Sequence, residues 1–140
     1  MIVTLDINVF LDVFQKREPH YLASSQVMNL VAEGKLVGVC PAHGLTTLYY
    51  LVRKHSAKSD AESSMDRILR QYRIGNLDAA GWQRARQLPF EDFEDAVVAA
   101  VAEASGSHWI VTRNTDDFEA SPVPAITPVD FLSQYAQTLS

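Results

Sequence analysis

MIVTLDIN, residues 1–8, decides the fold class of this chain. The apolar run is short and rich in β-branched residues, which is typical of a buried central strand in a parallel sheet. It ends at Asp6, and helix-compatible sequence begins at Val9. Ligands bind outside the carboxyl ends of the strands in open α/β sheets, so Asp6 is expected at such an edge. Asn8 is a candidate cap for the following helix, and the simplest alternative makes Asp6 only a turn or cap residue.

Candidate strands and helices alternate along the rest of the chain. Ser59, with Glu62 three residues later, fits a capping box, Asp78 is a second cap candidate, and Pro128 suits a first helical turn. The alternation predicts a three-layer α/β/α sandwich with a mainly parallel central sheet, in one domain spanning residues 1–140. Strands are expected at 36–40, 73–77, 108–112 and 123–127, and helices at about 9–14, 20–32, 43–54, 60–72, 79–88, 94–104 and 128–139.

Composition sets broad limits on function. The 140 residues are 47% hydrophobic and 21% charged, as in an ordinary soluble globular protein. No segment reaches the ~18–20 apolar residues of a membrane span, and the single Cys40, expected to be a small core residue, favours a reducing, cytoplasmic location. The net charge of −5 argues against non-specific binding of nucleic acid. A site of converging acids that held a metal ion would nevertheless accept phosphate.

Acidic residues occur where predicted strands meet helices. Asp6 is the first, FEDFEDA at 90–96 opens the most apolar helix, and VTRNTDDF at 111–118 follows a strand. Carboxylates held close together raise one another's pKa unless a cation joins them, and their hard oxygens suit Mg²⁺ or Mn²⁺. The alternative is structural, because the helix dipole alone favours acids at helix starts.

Three segments resemble the signature segments of PIN-domain proteins, a family that includes the VapC-type toxin ribonucleases of bacterial toxin–antitoxin pairs. They are LDINVFLD at 5–12, EDAVVAA at 94–100 and IVTRNTDDF at 110–118, and residues 41–54 resemble one branch of the family. The resemblance implies a parallel sheet flanked by helices, with acids that bind Mg²⁺ or Mn²⁺ and cleave RNA. It also implies a homodimer and an antitoxin protein as partners.

The resemblance assigns roles to individual residues. Asp6 matches the first family acid and Asp95 the third, and Asp117 is the expected carboxylate of the fourth acidic region. These three acids are therefore the expected catalytic and metal-binding residues. Asn114 stands where many relatives have an acid and is expected to contribute a neutral oxygen. Thr112 is expected to orient an acid through a hydrogen bond.

The second family acid is missing, because Thr47 stands at the matching position and residues 43–54 contain no Asp or Glu. The resemblance therefore implies weaker metal binding, or a metal that keeps more water ligands. His43 could approach the same edge, although a lone histidine at a helix start is more often a surface or capping residue. The candidate acids to replace the missing carboxylate are Glu91, Asp92 and Glu94.

The function expected from this site is metal-assisted hydrolysis of RNA phosphodiester bonds. Arg113, Arg53 and Lys54 are candidates to guide the RNA backbone, or else cations that complement helix ends. The aromatic residues are expected to pack in the core or in a dimer interface rather than to stack on bases. They are Tyr49, Tyr50, Tyr72 and Trp82.

The sequence leaves two other classes of protein as alternatives. A binding module that kept the fold but lost turnover with the second acid is the main alternative, and metal titration discriminates it. A phosphoacceptor receiver domain needs a lysine at a strand end, and none of the four lysines ends a convincing strand. The glycine signatures of P-loop and dinucleotide-binding proteins are also absent.

Overall fold

The computed structural model describes residues 1–139 and contains a five-stranded sheet with the order β3-β2-β1-β4-β5. All four strand pairs are parallel, which confirms the predicted fold class. The strands are β1 (Ile2–Leu5), β2 (Val37–Pro41), β3 (Arg73–Gly75), β4 (Trp109–Val111) and β5 (Ala125–Ile126). The helices are α1 (Ile7–Phe14), α2 (Tyr21–Ala32), α3 (Leu45–His55), α4 (Lys58–Gln71), α5 (Ala79–Gln87), α6 (Phe93–Ala104) and α7 (Pro128–Thr138), with 3₁₀ turns at Ala42–Gly44 and Thr115–Phe118.

Two apolar cores lie on opposite faces of the sheet, because successive strand residues point to opposite faces. Cys40 and Val111 contribute to the core beneath α1–α4 and α7, whereas their neighbours Val39 and Ile110 contribute to the core beneath α5 and α6. Cys40 is fully buried, as expected for a small core residue, and burial raises the pKa of its thiol to about 12. This arrangement gives the three layers that the alternation predicted.

The register of β1 and β4 sets the position of the acidic residues. Leu5 pairs with Val111, and the backbone N–H of Asp6 donates to the carbonyl of Val111 at 3.0 Å. Asp6 and Thr112 therefore follow directly after two adjacent strands, at the same edge of the sheet. Because α6 leads into the parallel strand β4, it runs back across the sheet and its first turn lies at this carboxyl edge.

Several predicted boundaries differ from the structure. The first helix begins at Ile7 with Asp6 as its cap, so the prediction that Asn8 caps it is wrong. The capping box at Ser59 is also wrong, because α4 already begins at Lys58 and Ser59 lies inside its first turn. The predicted strand 73–77 ends at residue 75, where its last partner is a proline that offers no N–H.

Other expectations about helix ends are confirmed. The carboxylate of Asp78 accepts from the N–H of Gly81 at 2.8 Å and caps α5. Pro128 occupies the first turn of α7. Among residues 1–139, no helix combines the length and apolar character that crossing a membrane requires.

Candidate acidic site

Asp6 is held rigidly at the centre of the carboxyl edge. Its side chain is only 6% exposed, and it accepts hydrogen bonds from the N–H of Ile7 at 2.8 Å and the hydroxyl of Thr112 at 2.9 Å. Burial raises the pKa of Asp6, and these two hydrogen bonds oppose the rise. The acid is therefore both a helix cap and a buried carboxylate, so the simple alternative of a cap residue is correct but incomplete.

Thr112 and Asn8 connect Asp6 to the loop after β4. Thr112 is fully buried, and while it donates to Asp6 its Oγ1 accepts from the N–H of Asn114 at 3.1 Å. The predicted hydrogen bond from Thr112 to an acid is thus present. The amide of Asn8 lies 3.4 Å from Asp6 Oδ2, a longer and weaker contact. These contacts fix the orientation of the Asp6 carboxylate.

Asp95 lies in the first turn of α6, where Asp92 is the cap and accepts from the N–H of Asp95 at 3.1 Å. A helix dipole favours a charged carboxylate here by about 0.3–1 kcal/mol. Burial and neighbouring charge outweigh the dipole, so the pKa of Asp95 rises to about 7. Burial is the largest cause, followed by the carboxylates of Asp92, Asp6, Asp117 and Glu94.

A cavity of about 430 Å³ lies between the start of α6 and the 3₁₀ turn at Thr115–Phe118. Asp95 and Asp117 both line it, so two of the three predicted acids share one cavity. Asp116, which is exposed, lines it as well. The full set of acids around the cavity is Glu91, Asp92, Asp95, Asp116, Asp117 and Glu119.

Glu94 is the acid that links this cluster to the missing second position. Its negative charge acts on Asp6, on Asp95 and on His43, which follows β2. Glu91, by contrast, is absent from the groups that shift Asp6 or Asp95. Of the candidate replacements, Glu94 is thus the one whose field reaches both sides of the site.

His43 is neither a surface residue nor a cap. Both ring nitrogens are buried and lack a hydrogen-bond partner within residues 1–139, and burial lowers the pKa of the ring while Glu94 opposes this. Ala42, Val97 and Val101 line the same cavity as His43. Leaving both ring nitrogens of this half-buried side chain without partners is costly.

A model of the PIN domain matches residues 2–116, which is most of the chain. The chain belongs to the PIN-domain family. This confirms the resemblance carried by its three acidic segments.

Individual relatives are more distant. The chain is 24% identical over 138 residues to ribonuclease VapC1 of Aquifex aeolicus, covering 95% of this chain and 94% of the relative. The structure of VapC20 of Mycobacterium tuberculosis, a sarcin–ricin loop cleaving toxin, is similar with a TM-score of 0.69 at 16% identity, covering 90% and 99% of the two chains. The structure of VapBC2 of Rickettsia felis bound to a promoter DNA fragment gives 0.67 at 20% identity, covering 91% and 98%. These likenesses establish the shared fold.

The other residues predicted to take part in function either lie away from the acids or already make structural contacts with other side chains. Thr47 is exposed on α3, which carries no acid in its place. Arg53 and Lys54 lie in the last turn of this 11-residue helix, roughly 15 Å along it from the sheet edge, as expected for cations that complement a helix end. Lys54 Nζ also lies 5.9 Å from the centroid of the Tyr50 ring. Their role in RNA binding stays a prediction.

Arg113 has a structural partner that the sequence did not reveal. Its Nε–H donates to Oδ2 of Asp12 at 3.0 Å, and Asp12 is fully buried and also accepts from Ser24 at 3.0 Å. Asp12 lies among the buried residues of α1. The only available signal was an acid among hydrophobic residues in LDINVFLD, which indicates a buried pair.

The aromatic residues divide between core and surface. Tyr72 is buried and packs edge-on against Phe10 at 5.1 Å between ring centroids, as expected. Tyr50 and Trp82 are 60% and 41% exposed, so they are not core residues. Propensity and spacing do not distinguish these cases, because each aromatic lies in an amphipathic helix or at its end.

We expect replacement of Asp95 by Asn to stabilise the metal-free protein at alkaline pH. Between the ordinary carboxyl pKa of 3.8 and about 7, the folded protein retains a proton that the unfolded chain releases, so stability falls as pH rises through this window. Asp95→Asn removes that loss. Because Asp95 is only partly buried and solvent screens its charge, the gain in stability at pH 8 should be about 1 kcal/mol, or a few degrees in Tm, well below the full value of the pKa shift. Thermal unfolding in EDTA at pH 4 and pH 8 measures this effect. Equal stability of variant and wild type at pH 8 would contradict it, and Glu62→Gln on exposed α4 is the control.

We expect Arg113→Met to destabilise the protein by about 3 kcal/mol, because it leaves the charge of Asp12 buried and unpaired. Arg53→Met, at the exposed end of α3, should change stability by less than about 0.5 kcal/mol. Urea unfolding of both variants tests the difference. A loss of the same small size in both would mean that the Arg113–Asp12 pair contributes little to folding.

Proposed function

We propose that this PIN domain is a metal-dependent ribonuclease that hydrolyses RNA phosphodiester bonds, and that it is the toxin of a toxin–antitoxin pair. The observation that carries the proposal is the acid-lined cavity at the carboxyl edge of the sheet, where Asp95 at the start of α6 and Asp117 after β4 lie together. Burial, and after it the carboxylates of Asp92, Asp6, Asp117 and Glu94, raises the pKa of Asp95 there. The names of similar proteins, a VapC1 ribonuclease and a sarcin–ricin loop cleaving toxin, support the same class of reaction.

The donor set is suited to a divalent cation. Within residues 1–139, no group of three or more His, Cys, Asp or Glu side chains is placed so that it could hold a metal ion. Burial, and after it the charge of neighbouring carboxylates, raises the pKa of Asp95 to about 7, and a cation would relieve the part that is due to repulsion. Mg²⁺ binds through one or two carboxylates and keeps several waters, so an open cluster of this kind fits it.

Asp6, Asp95 and Asp117 would hold the cation, and Asn114 would add a neutral oxygen. Thr112 and Asn8 keep the Asp6 carboxylate in one orientation. A bound divalent ion supplies a water of lowered pKa and offsets charge on the phosphate oxygens. No serine, cysteine or threonine nucleophile is required, and the buried Cys40, with a pKa of about 12, is unsuited to that role.

The first experiment is an RNA cleavage assay with Asp6→Asn and Asp95→Asn. We expect wild-type protein to cleave a structured RNA in Mg²⁺ or Mn²⁺ and not in EDTA, and each variant to lose at least about 100-fold in rate while binding Mn²⁺ more weakly. Asp66→Asn, on exposed α4, is the matched control and should retain full activity. Unchanged cleavage in both site variants would refute the assignment.

Lack of cleavage by folded wild-type protein would favour the second candidate, a PIN-like module that binds RNA or protein without cutting. The observation that favours this candidate is Thr47, which leaves the second family position without a carboxylate. Calorimetric titration with Mn²⁺ separates the cases, because the binding module would show no metal binding that depends on Asp6.

Within the nuclease proposal, Glu94 takes the place of the absent second acid. Its charge acts on Asp6 and Asp95 from the first turn of α6, and it also faces His43 on the β2 side. Helical spacing places Glu94 above Val97 and Val101, which line the cavity that His43 occupies. Glu94 thus acts on the acids and on His43, which immediately precedes the helix that carries position 47.

Glu94→Gln tests this replacement against Glu91→Gln, which removes an acid from the same segment. We expect Glu94→Gln to weaken Mn²⁺ binding about tenfold, because it removes charge that acts directly on Asp6 and Asp95. Glu91→Gln should change the affinity less than threefold. Calorimetric titration at pH 8 measures both, and equal losses would show that only the total negative charge matters.

The partners follow from the same proposal. Toxin–antitoxin complexes with this fold, including one from Klebsiella pneumoniae at a TM-score of 0.67 and 17% identity, support an antitoxin protein as partner. The homodimer, the single domain and the choice between Mg²⁺ and Mn²⁺ stay predictions. The packing of helices on both faces of one sheet supports the single domain.

A further inference from the structure

Two large aromatic side chains lie exposed beside the acidic site. Trp82 on α5 is 41% exposed, and Phe93, the first residue of α6, is 49% exposed. Their ring centroids lie 6.2 Å apart with the planes tilted by 38°. The pair therefore forms one apolar surface of two adjacent rings, held by the first turn of the helix that carries Asp95.

This aromatic surface is continuous with the acidic cavity. Phe93 lines a neighbouring cavity of about 430 Å³ together with Arg86. Phe90 and Glu91 line both that cavity and the acidic one, so the two adjoin. Phe93 and Arg86 thus lie in the cavity next to the acids, and Trp82, which packs against Phe93, lines the cavity of His43.

The charges of this region restrict what can bind there. The chain has a net charge of −5 and the cavity beside it is lined by acids, so phosphate contacts alone give little affinity. Stacking on an aromatic ring contributes about 1–3 kcal/mol per base and requires no basic groove. A stacked nucleotide also needs a cation near its phosphate, and Arg86 supplies one.

We propose that Trp82 and Phe93 form a stacking surface for an unpaired nucleobase of single-stranded RNA, next to the phosphate at the acidic site. The proposal rests on the ribonuclease function proposed above, and it defines the substrate as unpaired at this nucleotide. A base inside a duplex is covered on both faces by its neighbours and cannot stack on protein. The site therefore selects loops, bulges or single strands.

The two tryptophans of the chain make the surface measurable. Trp82 lies beside the acidic site, whereas Trp109 begins β4 and so lies at the opposite edge of the sheet. In Asp6→Asn protein with Mg²⁺, a ten-nucleotide single-stranded RNA should quench the tryptophan fluorescence. The quenching should disappear when Trp82→Phe is added, because only the distant Trp109 remains.

The second measurement is the kinetics of RNA cleavage by protein that keeps Asp6. We expect Trp82→Leu to raise KM for a loop-containing RNA about tenfold, the loss of one stacked base, with kcat within twofold. Trp82→Phe should retain near-normal KM because it keeps a ring, and Tyr50→Leu is the control for an exposed aromatic elsewhere.

The outcomes separate this proposal from the ribonuclease function. Quenching that depends on Trp82 without any cleavage would retain the stacking surface and refute the nuclease. Cleavage with an unchanged KM in Trp82→Leu would retain the nuclease and refute the surface. Wild-type protein that neither binds nor cleaves RNA would refute both. A change of oligomeric mass in Trp82→Leu with unchanged RNA binding would identify a protein contact and overturn the proposal.

Discussion

The parallel pairing of β1 with β4 is the constraint on which the acidic site depends. It brings the backbone N–H of Asp6 to the carbonyl of Val111 and places the hydroxyl of Thr112 2.9 Å from the Asp6 carboxylate. With α6 returning across the sheet, the same pairing delivers Asp95 to that edge. Asp6 and Asp95, which are far apart in sequence, thus lie at one edge of the sheet, where the charge of Asp6 contributes to the raised pKa of Asp95.

The acidic site lowers the stability of the folded protein, and the apolar cores elsewhere in the fold offset this cost. Burial and neighbouring carboxylates raise the pKa of Asp95 to about 7, although its helix position alone would favour the charged form. Around this edge the structure supplies two extensive apolar cores, each built on one face of the sheet. Such strain is expected where charge is arranged for a ligand rather than for folding.

Much of this arrangement could be predicted from sequence, for a physical reason. Strand and helix periodicity identified every layer, and the position of Asp6 after a buried strand identified the edge. The Arg113–Asp12 pair, the burial of His43 and the exposure of Trp82 could not be predicted. Each depends on which side chains meet between elements, and neither periodicity nor propensity contains that information.

The missing acid at position 47 shows how an interpretation of the sequence differs from an interpretation of the structure. In sequence, Thr47 removes a carboxylate from α3, and the site looks incomplete. In the structure, α3 and α6 approach the same edge, so an acid on either helix can act there. We propose Glu94 for this role, since its charge acts on Asp6, Asp95 and His43. What the chemistry requires is negative charge at a point in space, and a fold with several helix starts at one edge can supply it from more than one position.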